Sequence, residues 1–446
     1  MIQKTAAFIT LGCKINQYET EAIREDVLDI GYDEVGPNDP ADVYVVNTCS
    51  VTAMAGSKSR KAILRAARKN PEARIVVVGC SSPEEKAKIR QIPQVSFLAG
   101  NEEKGMVASF LDGNWKPGEP IPDGEGVLNL SISRYRGRTR ATLKVQDGCN
   151  NFCSFCIIPH LRGTSRSRPA DAVVDEVRRL VDAGFVELVV SGIHLQDYGL
   201  DLSPRLNLVD LLRRVAEVEG LERIRLSSLG TQAFTPEFLD LMEHPVFCPH
   251  WHIPIQAGSE EVLEIMRRGY TLERFCDVMA ELRERFESPA ITTDVIVGHP
   301  GESDEIFERS AEVYRELEFA KMHVFPFSFR EGTLSEKLWR EDPIDPVEIR
   351  RRATLVGEIE RAAGERYRAG FVGRDLDVLV EGPSKGRDGF LEGLTERYVR
   401  VAFPAPSAQS VDRFPGTIHR VRTLSAEGDL LLGEWAESPI GSGLAG

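Results

Sequence analysis

The chain is constrained most by a repeated alternation of short β-rich runs with helical runs, at two different beats. Over residues 1–130, the segments 5–10, 42–47 and 74–78 read as buried strands. They are short, rich in Val, Ile and Phe, and end near Gly or Asn. Segments 17–30 and 54–69 read as helices with charged outer faces. Such alternation implies a parallel sheet covered by helices. Pro117, Gly118, Pro120, Pro122, Gly124 and Gly126 then mark a linker.

Residues 138–367 repeat the alternation with a longer beat. Strands are expected at 142–146, 187–191, 223–227, 251–255, 292–297 and 321–325, with helices at 170–183, 208–219, 259–267, 272–286 and 304–317. Six such units predict a partial TIM-like (β/α)6 barrel whose chemistry sits at the C-terminal ends of its strands. Residues 370–435 change character. Runs 376–381, 389–394, 398–402, 417–423 and 429–433 read as five short strands of a small antiparallel β-barrel. Residues 436–446 read as a loose tail. The fold class is therefore α/β with an added small barrel. At 446 residues there is room for about three domains.

No apolar run approaches the ~18 residues of a membrane span. The start, through Leu11-Gly-Cys13, is too short in its apolar stretch and too poor in charge for an export signal. A reducing cytoplasm is the expected setting for the thiols. The net charge of −14 argues against bulk coating of nucleic acid but leaves room for a local basic patch.

The 8 cysteines are too few for a disulfide scaffold at this length. Cys149, Cys153 and Cys156 stand in C-x3-C-x2-C spacing just after the first barrel strand. Three thiolates on one loop suit three irons of a [4Fe–4S] cluster, leaving the fourth iron open. Structural zinc, with His160 as fourth ligand, is the alternative. Cys13, Cys49 and Cys80 each follow a predicted parallel strand, and those strand ends share one sheet edge. A second three-thiolate cluster follows, against the alternative of three unrelated buried thiols. Cys248 and Cys276 have no such company and read as packing.

The C-x3-C-x2-C loop, with Phe155 before its last cysteine, resembles the radical S-adenosylmethionine signature. The second trio narrows the resemblance, across nearly the whole chain, to the methylthiotransferases: a three-cysteine N-terminal domain, a radical barrel and a TRAM-type RNA-binding barrel. Leu11-Gly-Cys-Lys-Ile-Asn-Gln-Tyr is similar to members acting on N6-threonylcarbamoyladenosine in tRNA. Members acting on isopentenyladenosine, or on an aspartate of ribosomal protein S12, carry other residues after that cysteine. A metal-stabilised RNA-binding protein without turnover is the non-enzyme alternative.

The resemblance implies two [4Fe–4S] clusters and S-adenosylmethionine, bound at the open iron of the central cluster and cleaved to a 5′-deoxyadenosyl radical. It implies that Phe155 lies beside the adenine, and that C2–H of adenosine 37 becomes C–S–CH3. It also implies tRNA, a sulfur source and an electron donor such as flavodoxin or ferredoxin as partners. Ser191, Gly192, Gln256, Ser259 and Gly298 lie in strand-end turns expected to hold S-adenosylmethionine. His194 and His299 read equally as substrate contacts or as structural histidines. Ser81-Ser82, Gly230 and His299 depart from residues common among relatives. Lys58, Arg60, Lys61, Arg65, Arg68 and Lys69 fall on one predicted helix. Arg134, Arg136, Arg138, Arg140, Arg162, Arg166 and Arg168 bracket the central loop and are expected to meet phosphate, whereas the helix group reads as either a phosphate contact or a solvated face.

Overall fold

The computed structural model describes residues 4–406 and 413–436, so the expected tail beyond Ala436 lies outside the described residues. Five parallel strands form the N-terminal sheet, in the order Asp33–Glu34, Thr5–Thr10, Val43–Thr48, Arg74–Gly79, Val95–Leu98. Val43–Thr48 is buried along its whole length, as a strand covered on both faces must be. Phe8, Val45 and Val76 face the helix Lys14–Asp29 through Tyr18 and Ala22. Ala7, Tyr44, Val46 and Val77 face Ile63 and Ala66 of the helix Ala53–Lys69. The two faces alternate with the period of two that a strand dictates.

The Pro- and Gly-marked stretch is no free linker. Trp115, Val127, Leu130 and Ile132 are buried in a core that also holds barrel residues Leu143, Val177 and Leu188. The prolines and glycines punctuate a packed crossing, because the apolar residues between them have a groove to fill.

The central region forms two three-stranded parallel sheets. One contains Ala141–Lys144, Glu187–Ser191 and Arg223–Leu226; the other His250–His252, Ala290–Val297 and Lys321–Pro326. A parallel bridge from Ile224 to Phe247 joins them into a six-stranded partial barrel. The strand expected at 251–255 is shorter, because Pro254 has no N–H to donate and Gln256 turns at φ 63°. Ser and Thr caps start the surrounding helices, as Ser259, Thr271 and Ser303 do for Glu260–Ile265, Leu272–Arg285 and Asp304–Leu317.

A 24-residue helix, Pro346–Ala369, runs from the barrel to the C-terminal region. There Arg368 Nε donates to the carbonyl of Gly428 at 2.8 Å. Five strands, Asp375–Pro383, Phe390–Thr395, Arg400–Pro404, Leu430–Trp435 and Ile418–Glu427, close into a barrel in that order. One seam, between Arg400–Pro404 and Leu430–Trp435, is parallel where an all-antiparallel barrel was expected. The intervening strand in sequence, Ile418–Glu427, pairs on the far side with Asp375–Pro383. Among the described residues no helix is long and apolar enough to cross a membrane.

Candidate metal and substrate chamber

The central cysteine loop leaves the barrel strand Ala141–Lys144 through Gly148, at φ 75°. A Cβ there would lie 1.9 Å from the Thr164 carbonyl oxygen, so only glycine lets the loop turn so tightly. The loop is pinned where Ser154 N donates to Met266 O at 3.0 Å and Ser154 Oγ meets Ser335 Oγ at 2.9 Å. Cys153 is buried; Cys149 and Cys156 are half-buried. Burial raises the Cys149 thiol and pushes Cys156 up to about 11, so a metal group must displace their protons. Arg268 Nη1 donates to Cys153 Sγ at 3.3 Å and opposes that trend with positive charge.

The N-terminal trio gathers at one sheet edge, as the parallel strands predict. Cys13 caps the helix Lys14–Asp29, and Cys49 and Cys80 follow Val43–Thr48 and Arg74–Gly79. Cys80 N donates to Thr48 O at 3.1 Å, which seats it beside Cys49. Gly79 turns at φ 103°, where a Cβ would lie 2.4 Å from that same Thr48 oxygen. Cys49 packs so closely on Gly12 that a Cβ on Gly12 would come within 2.7 Å of its own. Cys49 feels both Cys13 and Cys80 electrostatically, and burial raises its thiol.

A single zinc ion, at ~2.3 Å from each sulfur, would draw its ligands within about 4 Å of one another. Neither trio, with or without His160, has three ligand atoms all within 4.8 Å; among the described residues only His252, Asp294 and His323 do. Wider thiol spacing beside guanidinium groups fits a cubane, whose ligands are spread over separate irons.

The two trios are joined by one buried ionic network. Arg162 Nε donates to Cys80 Sγ at 3.2 Å, while its Nη1 reaches Glu19 and Asp147, each at 2.9 Å. Lys104 and Lys144 pair with Glu19 at 2.7 and 2.8 Å, and Lys144 also pairs with Asp147 at 2.7 Å. Glu19 and Asp147 are fully buried, yet the cations hold both carboxyls below the usual range. The network ties the first helix to the cysteine loop and so sets one trio against the other.

This finding corrects the expected phosphate footprint. Arg162 and Arg168 are buried, Arg168 pairing with Glu176 at 2.6 Å. Arg140 pairs with Glu381 at 2.7 Å, Arg136 with Glu34 at 2.8 Å, and Arg166 with Glu102. Arg134 and Arg138 remain exposed. On Ala53–Lys69, Lys58, Lys61, Arg65, Arg68 and Lys69 are exposed, whereas Arg60 pairs with Glu85 at 2.5 Å. The outer face of that helix is the larger free basic surface of the two groups.

The residues expected around S-adenosylmethionine are held with varied freedom. Phe155 is half-buried against Ala257, Leu263 and Met266 and stands edge-on to His299, ring centres 6.4 Å apart. Ser191 Oγ donates to Val189 O at 3.2 Å, and Ser259 Oγ caps its helix by accepting from Val262 N at 3.3 Å. Gly192 N donates to Ser227 Oγ at 3.4 Å, Gly298 N to Glu302 Oε2 at 2.5 Å, and Gln256 bridges to Val295.

His299 is buried, bonded to Pro300 O and Ser335 Oγ at 2.9 and 2.8 Å, and burial lowers it to about 4. His194 meets Asn151 Nδ2 at 2.8 Å. At Gly230 a Cβ would lie 2.3 Å from Gln196 Oε1, so a larger residue must displace that glutamine. Ser81 Oγ meets Thr48 Oγ1 at 2.9 Å, and Ser82 caps the helix Pro83–Ile89. Cys248 is buried, its thiol pushed up to about 12 by burial; Cys276 is half-buried on its helix. The sequence reading missed Arg162 and Arg268 as thiol partners.

Residues 143–313 match the Radical SAM superfamily, and residues 5–100 match a family described as uncharacterized protein family UPF0004. The threonylcarbamoyladenosine tRNA methylthiotransferase of Bacillus subtilis (strain 168) is 38% identical, over 95% of this chain and 94% of its own. The tRNA-2-methylthio-N(6)-dimethylallyladenosine synthase of Moorella thermoacetica is 34% identical, over 98% and 99%. The fold resembles that of the radical S-adenosylmethionine methyltransferase TsrM from Kitasatospora setae, with TM-score 0.54 and 17% identity over 73% of this chain and 75% of that one.

Proposed function

Because the chain belongs to the radical S-adenosylmethionine methylthiotransferase family, we propose that it methylthiolates C2 of N6-threonylcarbamoyladenosine at position 37 of tRNA. The observation that carries the reading is Arg162, one guanidinium that touches Cys80 of one trio and Asp147 at the root of the other. Two thiol-lined sites held in one rigid relation suit a reaction in which a radical centre and a sulfur donor must meet on one carbon. When bound, two [4Fe–4S] clusters and S-adenosylmethionine supply the one-electron and group-transfer chemistry that an unactivated C–H bond requires.

The protein's part is positional. Cys149, Cys153 and Cys156 hold one cluster and Cys13, Cys49 and Cys80 the other. Phe155 flanks the adenine of S-adenosylmethionine, and the turns at Ser191, Gly192, Gln256, Ser259 and Gly298 wall its pocket. Ser191 and Ser259, already bonded to backbone, shape the pocket more than they bond in it. Arg268 and Arg162 offset thiolate charge at Cys153 and Cys80. Residues 1–130, 138–367 and 370–435 are the working units, the last docking tRNA together with the basic face of Ala53–Lys69. A flavodoxin or ferredoxin and a sulfur source complete the partners, in the cytoplasm.

Mass spectrometry of tRNA nucleosides, from cells with and without the gene, tests the substrate. Loss of 2-methylthio-N6-threonylcarbamoyladenosine is expected; loss of the dimethylallyl product instead overturns the substrate. Cys153→Ala should abolish S-adenosylmethionine cleavage in reconstituted enzyme, and cleavage that persists overturns the radical assignment.

A further inference from the structure

A turn of the C-terminal barrel reaches into the central one. Arg225, on the barrel strand Arg223–Leu226, donates to the carbonyls of Glu396 and Thr395 at 2.8 and 3.2 Å. Arg223 donates to the Asp377 carbonyl at 2.8 Å. These bonds present Tyr398, at φ 62° and 39% exposed. His250 stacks on its ring at 5.0 Å, and the guanidiniums of Arg140 and Arg225 lie 5.2 and 4.9 Å from the ring centre. Lys14 Nζ lies 6.0 Å from the same ring.

The cations here are not equivalent. Arg140 pairs with Glu381 at 2.7 Å and Arg225 with Glu187 at 2.9 Å. Lys14 is exposed, and no hydrogen bond or ion pair takes its ammonium among the described residues. Glu187, the carboxylate whose charge reaches Lys14, is already taken by Arg225 at 2.9 Å and Arg223 at 3.6 Å. The surroundings of Tyr398 thus carry a surplus of positive charge and one ammonium with no hydrogen-bond or ion-pair partner among the described residues. That ammonium follows Cys13 directly in the chain.

We propose that Lys14, seated over Tyr398, reads the free carboxylate of the N6-threonylcarbamoyl group and so selects this nucleoside over its dimethylallyl counterpart. The inference rests on the substrate reading above. A threonine joined to N6 through its nitrogen keeps an anionic carboxylate; a dimethylallyl group has no charge to read. C2 and N6 lie on the same edge of adenine, so bringing C2 to the Cys13 trio brings the N6 substituent toward Lys14. A charged donor offered to a carboxylate in a recess gives a charge-assisted bond, whereas an apolar substituent would strip water from Lys14 without return.

The test compares anticodon stem–loop RNAs carrying the threonylcarbamoyl group as free acid or methyl ester, or a dimethylallyl group. Binding is read by anisotropy on iron-free and reconstituted protein, and turnover by kcat/KM. The native chain should bind the acid more tightly, on the order of tenfold to a hundredfold. Lys14→Gln should erase that preference and Lys14→Arg should keep most of it, with iron content unchanged. Tyr398→Leu, far from the cysteines in sequence, should weaken the preference too if Lys14→Gln disturbs the cluster. An acid preference that survives both variants overturns the role of Lys14. A native chain that turns over only dimethylallyl RNA overturns the substrate reading instead.

Discussion

Replacing Glu19 by glutamine keeps its volume and removes one charge from the network between the two trios. The carboxylate now answers Lys104, Lys144 and Arg162 at 2.7, 2.8 and 2.9 Å. The native set is three cations against Glu19 and Asp147, with Cys80 Sγ accepting from Arg162 Nε at 3.2 Å. In Glu19→Gln three buried cations face one carboxylate. Breaking a buried pair from one side costs about 3–5 kcal/mol. For a cooperative unit of 150–250 residues that lowers Tm by roughly 6–20 °C.

The assay is thermal unfolding of iron-free protein at pH 7. Because the charges are buried, raising salt should not mask the loss. Arg162→Met should cost a similar amount, and the double variant less than both together, since it removes one charge of each sign. The cations hold Glu19 and Asp147 below the ordinary carboxyl range, so their contribution is complete above about pH 5 and is lost on acidification below about pH 4. Glu19→Gln should therefore also flatten the acid limb. A Glu19→Gln protein within ~1 kcal/mol of native stability would refute the reasoning, because it would mean that water or relaxation already neutralises the site.

Three further outcomes follow from single residues. His299, lowered by burial to about 4 from an ordinary ~6.5, favours folding fully only above about pH 6.5. Stability should fall by about 3 kcal/mol between pH 6.5 and 4, and His299→Phe should remove that slope in pH-dependent unfolding curves. Gly148→Ala places a Cβ 1.9 Å from the Thr164 oxygen at φ 75°. It should cost about 1–2 kcal/mol in backbone strain alone, and iron analysis should show the central site lost. Cys276→Ser, changing a half-buried thiol on a helix, should leave iron content and S-adenosylmethionine cleavage as in the native chain.

The chain spacing of Cys149, Cys153 and Cys156, and the strand ends before Cys13, Cys49 and Cys80, were enough to expect two groups of three, because each cysteine sits in a local strand-end loop. A strand ends, a glycine turns the backbone, and a cysteine follows, as at Gly79-Cys80 and Gly148-Cys149. Alternation of apolar runs was enough for the central three strands of the N-terminal sheet and the six barrel strands, because burial on both faces leaves a continuous apolar signature; it passed over the edge strands Asp33–Glu34 and Val95–Leu98. The short strand His250–His252 was harder to bound, since Pro254 and Gln256 end its pairing inside an apolar run.

Charge pairing could be settled only in three dimensions. Arg162 and Arg168 look in sequence like part of a phosphate-binding stretch. Of their partners, Glu19 is distant in the chain while Asp147 and Glu176 are nearer, and only folding brings them together in a dry interface. The same holds for Lys14 and Tyr398, 6.0 Å apart in the chamber and on different barrels or domains of the fold. The sequence by itself determined which elements form and placed two groups of three cysteines at strand ends. The tertiary structure decided which charges are spent inside and which remain free for a substrate, because electrostatic partnership depends on distance and burial rather than on order along the chain.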